Sequence, residues 1–107
     1  MQATMFTDLT QQVDVPTDST ISKTIYQDER LKVVLFGFAA GQELSEHTAA
    51  VPAILHFVEG KARVTLEGQI HNAQPHSWMH MPARMPHSIL AETQVKMLLL
   101  LLKDATP

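Results

Sequence analysis

Apolar and polar residues alternate with a period of two along much of the chain. In the run 62–66, ARVTL, the three apolar side chains share one face and the polar two share the other. No segment shows the 3.6-residue period of an amphipathic helix, and residues typical of turns separate the runs. The pattern predicts about nine strands, at 21–26, 31–38, 43–47, 54–58, 62–66, 69–72, 78–81, 87–91 and 95–103. We therefore expect an all-β sandwich or barrel.

Two of these runs are apolar on both faces. They are 31–38, LKVVLFGF, after its lysine, and 95–102, which contains the run MLLLLL. Taken alone, MLLLLL has good helix propensity, but it is short, uncapped and last in an all-β series, so we interpret it as a strand. A strand with one face in water should alternate. Both faces of these two strands should therefore be covered, by the N-terminal arm or by a second copy of the chain.

A second copy of the chain is the simpler way to bury these apolar faces. Residues 1–20 are mostly polar and read as an extended arm with a turn, too polar to cover everything. The apolar side chains at issue are Val34, Phe36, Leu98, Leu100 and Leu102. Left exposed, they would form a larger patch than soluble monomers normally carry. Because closed two-fold dimers are the commonest oligomers, we expect a homodimer.

Composition excludes several classes of protein. At 107 residues we expect one domain, spanning 1–107. The net charge is −3 with no run of Lys or Arg, which argues against a nucleic-acid partner. The N-terminus lacks the pattern of a signal peptide, and the longest aliphatic run is far below the ~20 residues of a membrane helix. There is no cysteine, which fits a reducing compartment. We expect a cytoplasmic protein with no membrane partner.

Two stretches resemble the paired motifs of the cupin family. The first is 41–60, GQELSEHTAAVPAILHFVEG, in which Gly41, His47 and Gly60 are in register with G-x5-H-x-H-x3,4-E-x6-G. The second contains Pro82 and His87, in register with G-x5-P-x-G-x2-H-x3-N. The resemblance covers about 30–102. It implies a double-stranded β-helix, or jelly-roll barrel, in which His47 and His87 come together.

The departures from these motifs bear on function. Cupins often hold one divalent metal with two histidines and a glutamate from the first motif and one histidine from the second. Here Ala49 and Ala53 replace two of those ligands. The resemblance leaves His47 and His87 as contacts for a small ligand or for a divalent metal such as Zn, Ni, Fe or Mn. Three protein ligands are usual in a catalytic site, so the pair alone would bind a metal weakly.

Strand parity bears on the remaining candidates. If Ala53 points inward, then Leu55 and Phe57 also point inward, toward a ligand, and His56 points outward unless a β-bulge at Pro52 reverses the order. His80 shares a face with the only tryptophan and becomes a third candidate ligand if that face is internal. His71 and His76 lie in or beside turns, where we expect them to be solvated. The alternative for His47, His56, His80 and His87 is ordinary packing or hydrogen bonding.

Three functions remain open from the sequence. The favoured hypothesis is a small-molecule-binding cupin barrel that uses His47 and His87, with His56, His80, Leu55 and Phe57 as further candidate ligand contacts. The alternative is a metal-dependent enzyme of dioxygenase or isomerase type with a histidine-only site. The third is a structural or interaction module whose barrel is filled by its own side chains. The sequence names neither the ligand nor the reaction, because cupin folds host many chemistries.

Overall fold

Nine β-strands and one turn of 3-10 helix make up the regular structure of residues 1–103, the part of the chain that the computed structural model describes. The helical turn is Leu9–Gln11. The strands are β1 (Thr20–Gln27), β2 (Leu31–Phe38), β3 (Glu43–His47), β4 (Ala53–Glu59), β5 (Ala62–Leu66), β6 (Gln69–Ala73), β7 (Trp78–Met81), β8 (His87–Ala91) and β9 (Val95–Leu102). The all-β prediction is confirmed, and the MLLLLL run lies in a strand.

The strands form two antiparallel sheets with the connectivity of a jelly roll. The five-stranded sheet has the order β1-β2-β9-β4-β7, and the four-stranded sheet has the order β3-β8-β5-β6. Late strands lie between early ones, because β9 pairs with both β2 and β4, and β8 pairs with both β3 and β5. This interleaving is what brings β3 and β8, which carry the two motif histidines, side by side.

The inner faces of the two sheets enclose a core of large apolar side chains. In β4 the residues Ala53, Leu55 and Phe57 are buried and alternate with half-buried neighbours. They pack against side chains of the opposite sheet such as Val64 and Ile89. Full burial of side chains of this size contributes roughly 1.5–3 kcal/mol each. The middle of the barrel is therefore filled by the protein itself.

The faces of β2 and β9 correct one expectation from the sequence. Directly opposed residues of paired strands share a face, and Leu35 lies opposite Leu98, while Val34 lies opposite Leu99. Phe36 packs against the barrel interior, whereas Leu35 and Leu98 form a second cluster on the outer face. The grouping of Val34 and Phe36 with Leu98, Leu100 and Leu102 in one exposed patch is therefore wrong. A strand that is apolar on both faces carries no parity signal, so the pattern could not assign its faces.

The N-terminal arm covers part of that outer face. Leu9 and Val13 pack on Leu35 and Leu98. The ammonium of Lys96, a residue that is 9% exposed, donates to the carbonyl of Thr10 at 2.5 Å. The arm approaches the sheet closely at Gly37, since a Cβ there would lie 2.8 Å from a methyl group of Val15. A few apolar side chains of the arm therefore cover more of the sheet than its polar composition suggests.

Within residues 1–103, none of the helical structure is long and apolar enough to cross a membrane.

Candidate functional site

His47 and His87 lie in contact at one end of the barrel. His47 is the last residue of β3 and His87 is the first of β8, and the two residues are directly opposed across the strand pair. Their ring centroids are 4.1 Å apart, with the ring planes inclined at 56°. We call this end of the barrel the mouth. It is bordered by the loops 48–52 and 82–86, which precede β4 and β8.

Backbone hydrogen bonds hold the two loops of the mouth in place. The amide of Arg84 donates to the carbonyl of Ala49 at 2.7 Å, which joins one loop to the other. The amide of Glu67 donates to the carbonyl of Pro86 at 2.8 Å, immediately before His87. Arg84 has a φ of +67°, in the left-handed region that non-glycine residues rarely adopt. The position of His87 is thus fixed by its neighbours on both sides.

Each imidazole of the pair is oriented by a carbonyl two residues before it. Nδ1 of His47 lies 2.7 Å from the carbonyl oxygen of Ser45, and Nδ1 of His87 lies 2.9 Å from that of Met85. A carbonyl oxygen only accepts, so both Nδ1 atoms carry the hydrogen and donate it. In the neutral ring Nε2 then keeps its lone pair. Sequence reasoning missed this arrangement, because every residue has a carbonyl and no side-chain pattern marks the ones that are used.

The two histidines differ in burial. His87 is 4% exposed, whereas His47 is exposed. Burial disfavours the charged imidazolium and lowers the pKa of His87 below its ordinary value. The hydrogen bond to Met85 opposes this shift, and the neighbouring His47 adds to it. Burial therefore favours the neutral form of His87, in which Nε2 keeps its lone pair, while His47 presents its ring to solvent.

The surroundings of the pair combine apolar side chains with Lys32, which lies directly opposite Leu101 on β2. Leu66 lies directly opposite His87 on β5, and Leu101 lies directly opposite Ala53 on β9. Leu66, Leu101 and Met85 are all partly buried against the core. Ala53 itself is 1% exposed. The mouth therefore combines two polar ring nitrogens with an aliphatic and thioether wall.

The residues present do not fit a four-ligand metal site. The methyl groups of Ala49 and Ala53 stand where the cupin motif places a histidine and a glutamate, and a methyl group cannot coordinate. In the described part of the chain, no three His, Cys, Asp or Glu side chains are grouped so that they could hold a metal ion. The pair supplies two imidazole donors, one fewer than a catalytic metal site normally takes from the protein.

His56 and His80 lie on the outer face of the five-stranded sheet, away from the pair. His56 alternates with the buried Leu55 and Phe57, as parity predicts, and the register shift of β4 against β9 comes only after Phe57. His80 lies opposite Ile54 on that outer face and is exposed. Leu55 and Phe57, at 1% and 0% exposure, belong to the packed interior. His71 and His76 are both exposed.

A cavity of the protein lies away from the histidine pair. It is an open groove of 510 Å³ outside the barrel, between the N-terminal arm and the five-stranded sheet. Phe6 and Leu9 line it from the arm, and Ile25, Val33 and Leu98 line it from the sheet. We place the candidate site at the mouth nevertheless, because the groove is lined mainly by apolar side chains, whereas the mouth brings two oriented imidazoles together.

At the level of sequence, no protein-family model and no curated protein matches the chain.

Solved structures do match. A cupin superfamily protein from Desulfitobacterium hafniense has a TM-score of 0.85 and 26% identity, over 90% of this chain and 88% of that one. A cupin 2 conserved barrel domain protein from Leptotrichia buccalis has a TM-score of 0.82 and 27% identity, over 89% of this chain and 46% of that one.

An enzyme is also among the similar structures. A mutant of salicylate 1,2-dioxygenase from Pseudoaminobacter salicylatoxidans, in complex with gentisate, has a TM-score of 0.74. It is 18% identical over 80% of this chain and 26% of that one, which shows a shared fold and no more. Sheet order, motif register and the cupin barrels of similar structure lead to one assignment: this chain is a small barrel of the cupin superfamily.

Proposed function

We propose that the chain is a small-molecule-binding barrel whose ligand contacts His47 and His87 at the mouth. The observation that carries the proposal is the pair of imidazoles in contact, each fixed through Nδ1 to a backbone carbonyl. Because both rings are already oriented before a ligand arrives, binding loses little conformational entropy at these side chains. An oriented pair of polar atoms in an apolar surround is the usual composition of a small-molecule site.

The filled interior limits where the ligand sits. Leu55 and Phe57 are almost fully buried in the core, so they would form the base of the site behind the histidines. Met85, Leu66 and Leu101 would supply its apolar wall. His56 and His80, on the outer face of the five-stranded sheet, take no part in this site.

Ligand screening by NMR with matched histidine variants tests the proposal. Compounds that bind the wild-type protein should shift imidazole signals of His47 and His87, and His47→Ala should weaken their binding roughly threefold to tenfold, the net effect of one lost hydrogen bond. His80→Ala is the control and should bind as the wild type does. Binding that is equally strong in His47→Ala and the wild type would place the ligand elsewhere and remove the proposal.

A metal-dependent enzyme of dioxygenase or isomerase type is the second candidate. It is favoured by one observation: imidazoles that bind metals commonly donate their other ring nitrogen to a carbonyl or carboxylate, as both of these do. Against it stands the two-donor set. Elemental analysis of protein purified without an affinity tag separates the candidates, because near-stoichiometric Fe, Mn, Ni or Zn favours the enzyme.

A structural or interaction module is the third candidate, favoured by the large side chains that fill the barrel, such as Phe38, Phe57 and Met97. If no compound in the screen shifted the signals of His47 or His87, this candidate would replace the first. For all three candidate functions we propose a cytoplasmic location, which the absence of cysteine supports.

We also propose that two copies of the chain associate through the outer face of the five-stranded sheet. The part of this face around β4 and β7 carries apolar side chains beyond the residues that the arm packs on. Trp78 is 59% exposed, and Ile54, Leu100 and Leu102 are half-buried. This patch, which we call the outer patch, also includes His56. Its side chains include no Asp, Glu, Lys or Arg, so a second copy offers a matching surface about a two-fold axis.

A further inference from the structure

The hydrogens on the two imidazoles decide which chemistry can meet them. Both Nδ1 hydrogens are used by backbone carbonyls, of Ser45 for His47 and of Met85 for His87. In the neutral rings neither Nε2 carries a hydrogen, so both can only accept. A ligand that presents only acceptor atoms would be repelled by the lone pairs on Nε2 of His47 and Nε2 of His87. A ligand that offers hydroxyl hydrogens would satisfy both.

The residues directly opposed to His87 and to Ala53 carry no charge, and cations border the mouth at Lys32, opposite Leu101, and at Arg84 of the loop 82–86. Ala49 and Ala53 occupy the positions from which the cupin motif would bring a histidine and a carboxylate. The directly opposed neighbours of His87 and Ala53 are Leu66 and Leu101, which are aliphatic. The backbone amide of Arg84 donates its hydrogen to the carbonyl of Ala49. Arg84 and Lys32 are the cations that an anionic ligand at the mouth would use.

We infer that the ligand is a neutral hydroxyl compound with an apolar body, which donates hydrogen bonds to Nε2 of His47 and of His87. This inference rests on the proposed binding function and names the class of ligand at that site. The apolar body lies against Leu66, Met85 and Leu101, and the hydroxyl groups face the imidazoles. In the metal-free protein carboxylates are discriminated against, because their oxygens, like the two Nε2 atoms, only accept.

The first experiment determines which ring nitrogen carries the hydrogen in His47 and in His87. In long-range ¹H–¹⁵N spectra of metal-free protein, the neutral forms of His47 and His87 should carry their hydrogen on Nδ1. His80, exposed on the outer face, is the internal reference within the same spectrum. A hydrogen on Nε2 of either His47 or His87 would overturn the inference without touching the proposal that the mouth binds small molecules.

The second experiment compares three ligands of similar shape that differ in the number of hydroxyl donors. Catechol has two hydroxyl donors, 2-methoxyphenol has one and 1,2-dimethoxybenzene has none. Each lost donor should weaken binding roughly threefold to tenfold, the usual net effect of a neutral hydrogen bond. Benzoate, an anion that presents only acceptors, should bind more weakly than catechol. In His47→Ala the difference between catechol and 2-methoxyphenol should shrink, while His80→Ala should keep the full series.

The outcomes separate the ligand class from the binding function. If 1,2-dimethoxybenzene binds as tightly as catechol at the mouth, the ligand class is wrong and the binding function stands. Tighter binding of benzoate than of catechol has the same meaning and would assign the site to anions held by Arg84, which Arg84→Gln would then weaken. No binding of catechol at millimolar concentration also overturns the ligand class. If catechol bound His47→Ala as tightly as it binds the wild type and His80→Ala, the ligand class and the proposed function would both be overturned.

Discussion

At the scale of single residues, the two histidines contribute unequally although their rings touch. His87 is buried at the first residue of β8, and His47 is exposed at the last residue of β3. A change at His87 therefore alters packing as well as chemistry, whereas a change at His47 removes a ring from the surface. For this reason His47 is the better position at which to test binding.

Metal binding to the isolated protein should be weak and should depend on His47. Two imidazole donors leave most of the coordination sphere to water, so a divalent ion should be lost on dialysis more easily than from a site with three protein ligands. His47→Ala should remove most of the Zn²⁺ that remains after dialysis, measured by elemental analysis, while His80→Ala should retain it. Unchanged metal content in His47→Ala would show that the ion binds elsewhere.

Gly60 is a second residue whose identity the fold dictates. It has a φ of +85°, and a Cβ there would overlap the backbone carbonyl of Gln94, which belongs to the turn before β9. The left-handed conformation alone costs a non-glycine residue roughly 1–2 kcal/mol. At Gly60 the clash with the backbone adds to that cost, because the carbonyl cannot rotate away as a side chain could.

We therefore predict that Gly60→Ala destabilises the protein by more than about 3 kcal/mol, measured by urea unfolding. Gly68→Ala is the matched control, since Gly68 has a φ of +81° and a Cβ added there would meet no atom within 4 Å. Its cost should stay near the roughly 1–2 kcal/mol of the conformation itself. Equal losses in the two variants would mean that the contact with Gln94 is unimportant.

At the scale of elements, the N-terminal arm acts as a cover for the five-stranded sheet. Lys96 binds the arm through the carbonyl of Thr10, and Leu9 and Val13 supply the apolar contacts. The absence of a side chain at Gly37 permits the close approach of Val15. The arm and the sheet therefore fit each other at one specific position.

Adding a side chain at Gly37 should lift the arm from the sheet. We expect Gly37→Ala to loosen the arm slightly and Gly37→Val to loosen it strongly, because a Cβ would lie 2.8 Å from Val15 and 3.3 Å from Ile21. Hydrogen exchange should accelerate at the backbone amides of 8–15 and remain slow in β4 and β9. Unchanged protection of the arm in Gly37→Val would show that the arm is not held by this contact.

At the scale of the whole molecule, the outer patch is an apolar surface that stays partly exposed among residues 1–103. The arm packs on Leu35 and Leu98. Trp78, on the edge strand β7 of that sheet, remains 59% exposed. Exposed tryptophans are frequent centres of binding energy at protein interfaces. Trp78 is also the only tryptophan of the chain, so its fluorescence reports on this surface alone.

Leu100→Asp should shift the proposed dimer to monomer at micromolar concentration, measured by light scattering. Losing the burial of one leucine per copy costs roughly 1.5–3 kcal/mol, and a buried unpaired charge adds to it. Dilution of the wild type should move the Trp78 emission to longer wavelength. Ile70→Asp is the control, because Ile70 is 63% exposed but lies on the other sheet. A wild-type monomer at high concentration would refute the dimer.

Phe36→Asp should behave differently from Leu100→Asp. Phe36 packs into the barrel and stacks on Phe38 with ring centroids 5.7 Å apart. Aspartate there would unfold the barrel rather than separate two copies. Circular dichroism during heating should show a much lower melting temperature for Phe36→Asp than for Leu100→Asp, and the reverse order would assign Phe36 to the outer face.

The sequence by itself determined the strands and the meeting of the two motif histidines. A period of two is a local property, so strand positions such as 62–66 and 87–91 follow from side-chain order alone. The same period oriented His56 opposite to Leu55 and Phe57. Motif spacing brought His47 and His87 together because the resemblance carries the barrel topology with it. Long-range geometry could be inferred from the sequence only through that resemblance.

The tertiary structure alone decided which face of a strand is internal and how the imidazoles are oriented. Parity relates neighbouring residues to each other but not to the core, so the outward position of His80 and the inward position of Phe36 required the packed sheets. The arm contacts at Gly37 join segments distant in sequence. The carbonyls of Ser45 and Met85 fix the two rings by backbone geometry, to which any residue type contributes the same group. Hydrogen bonds of this kind leave no trace in the order of the amino acids.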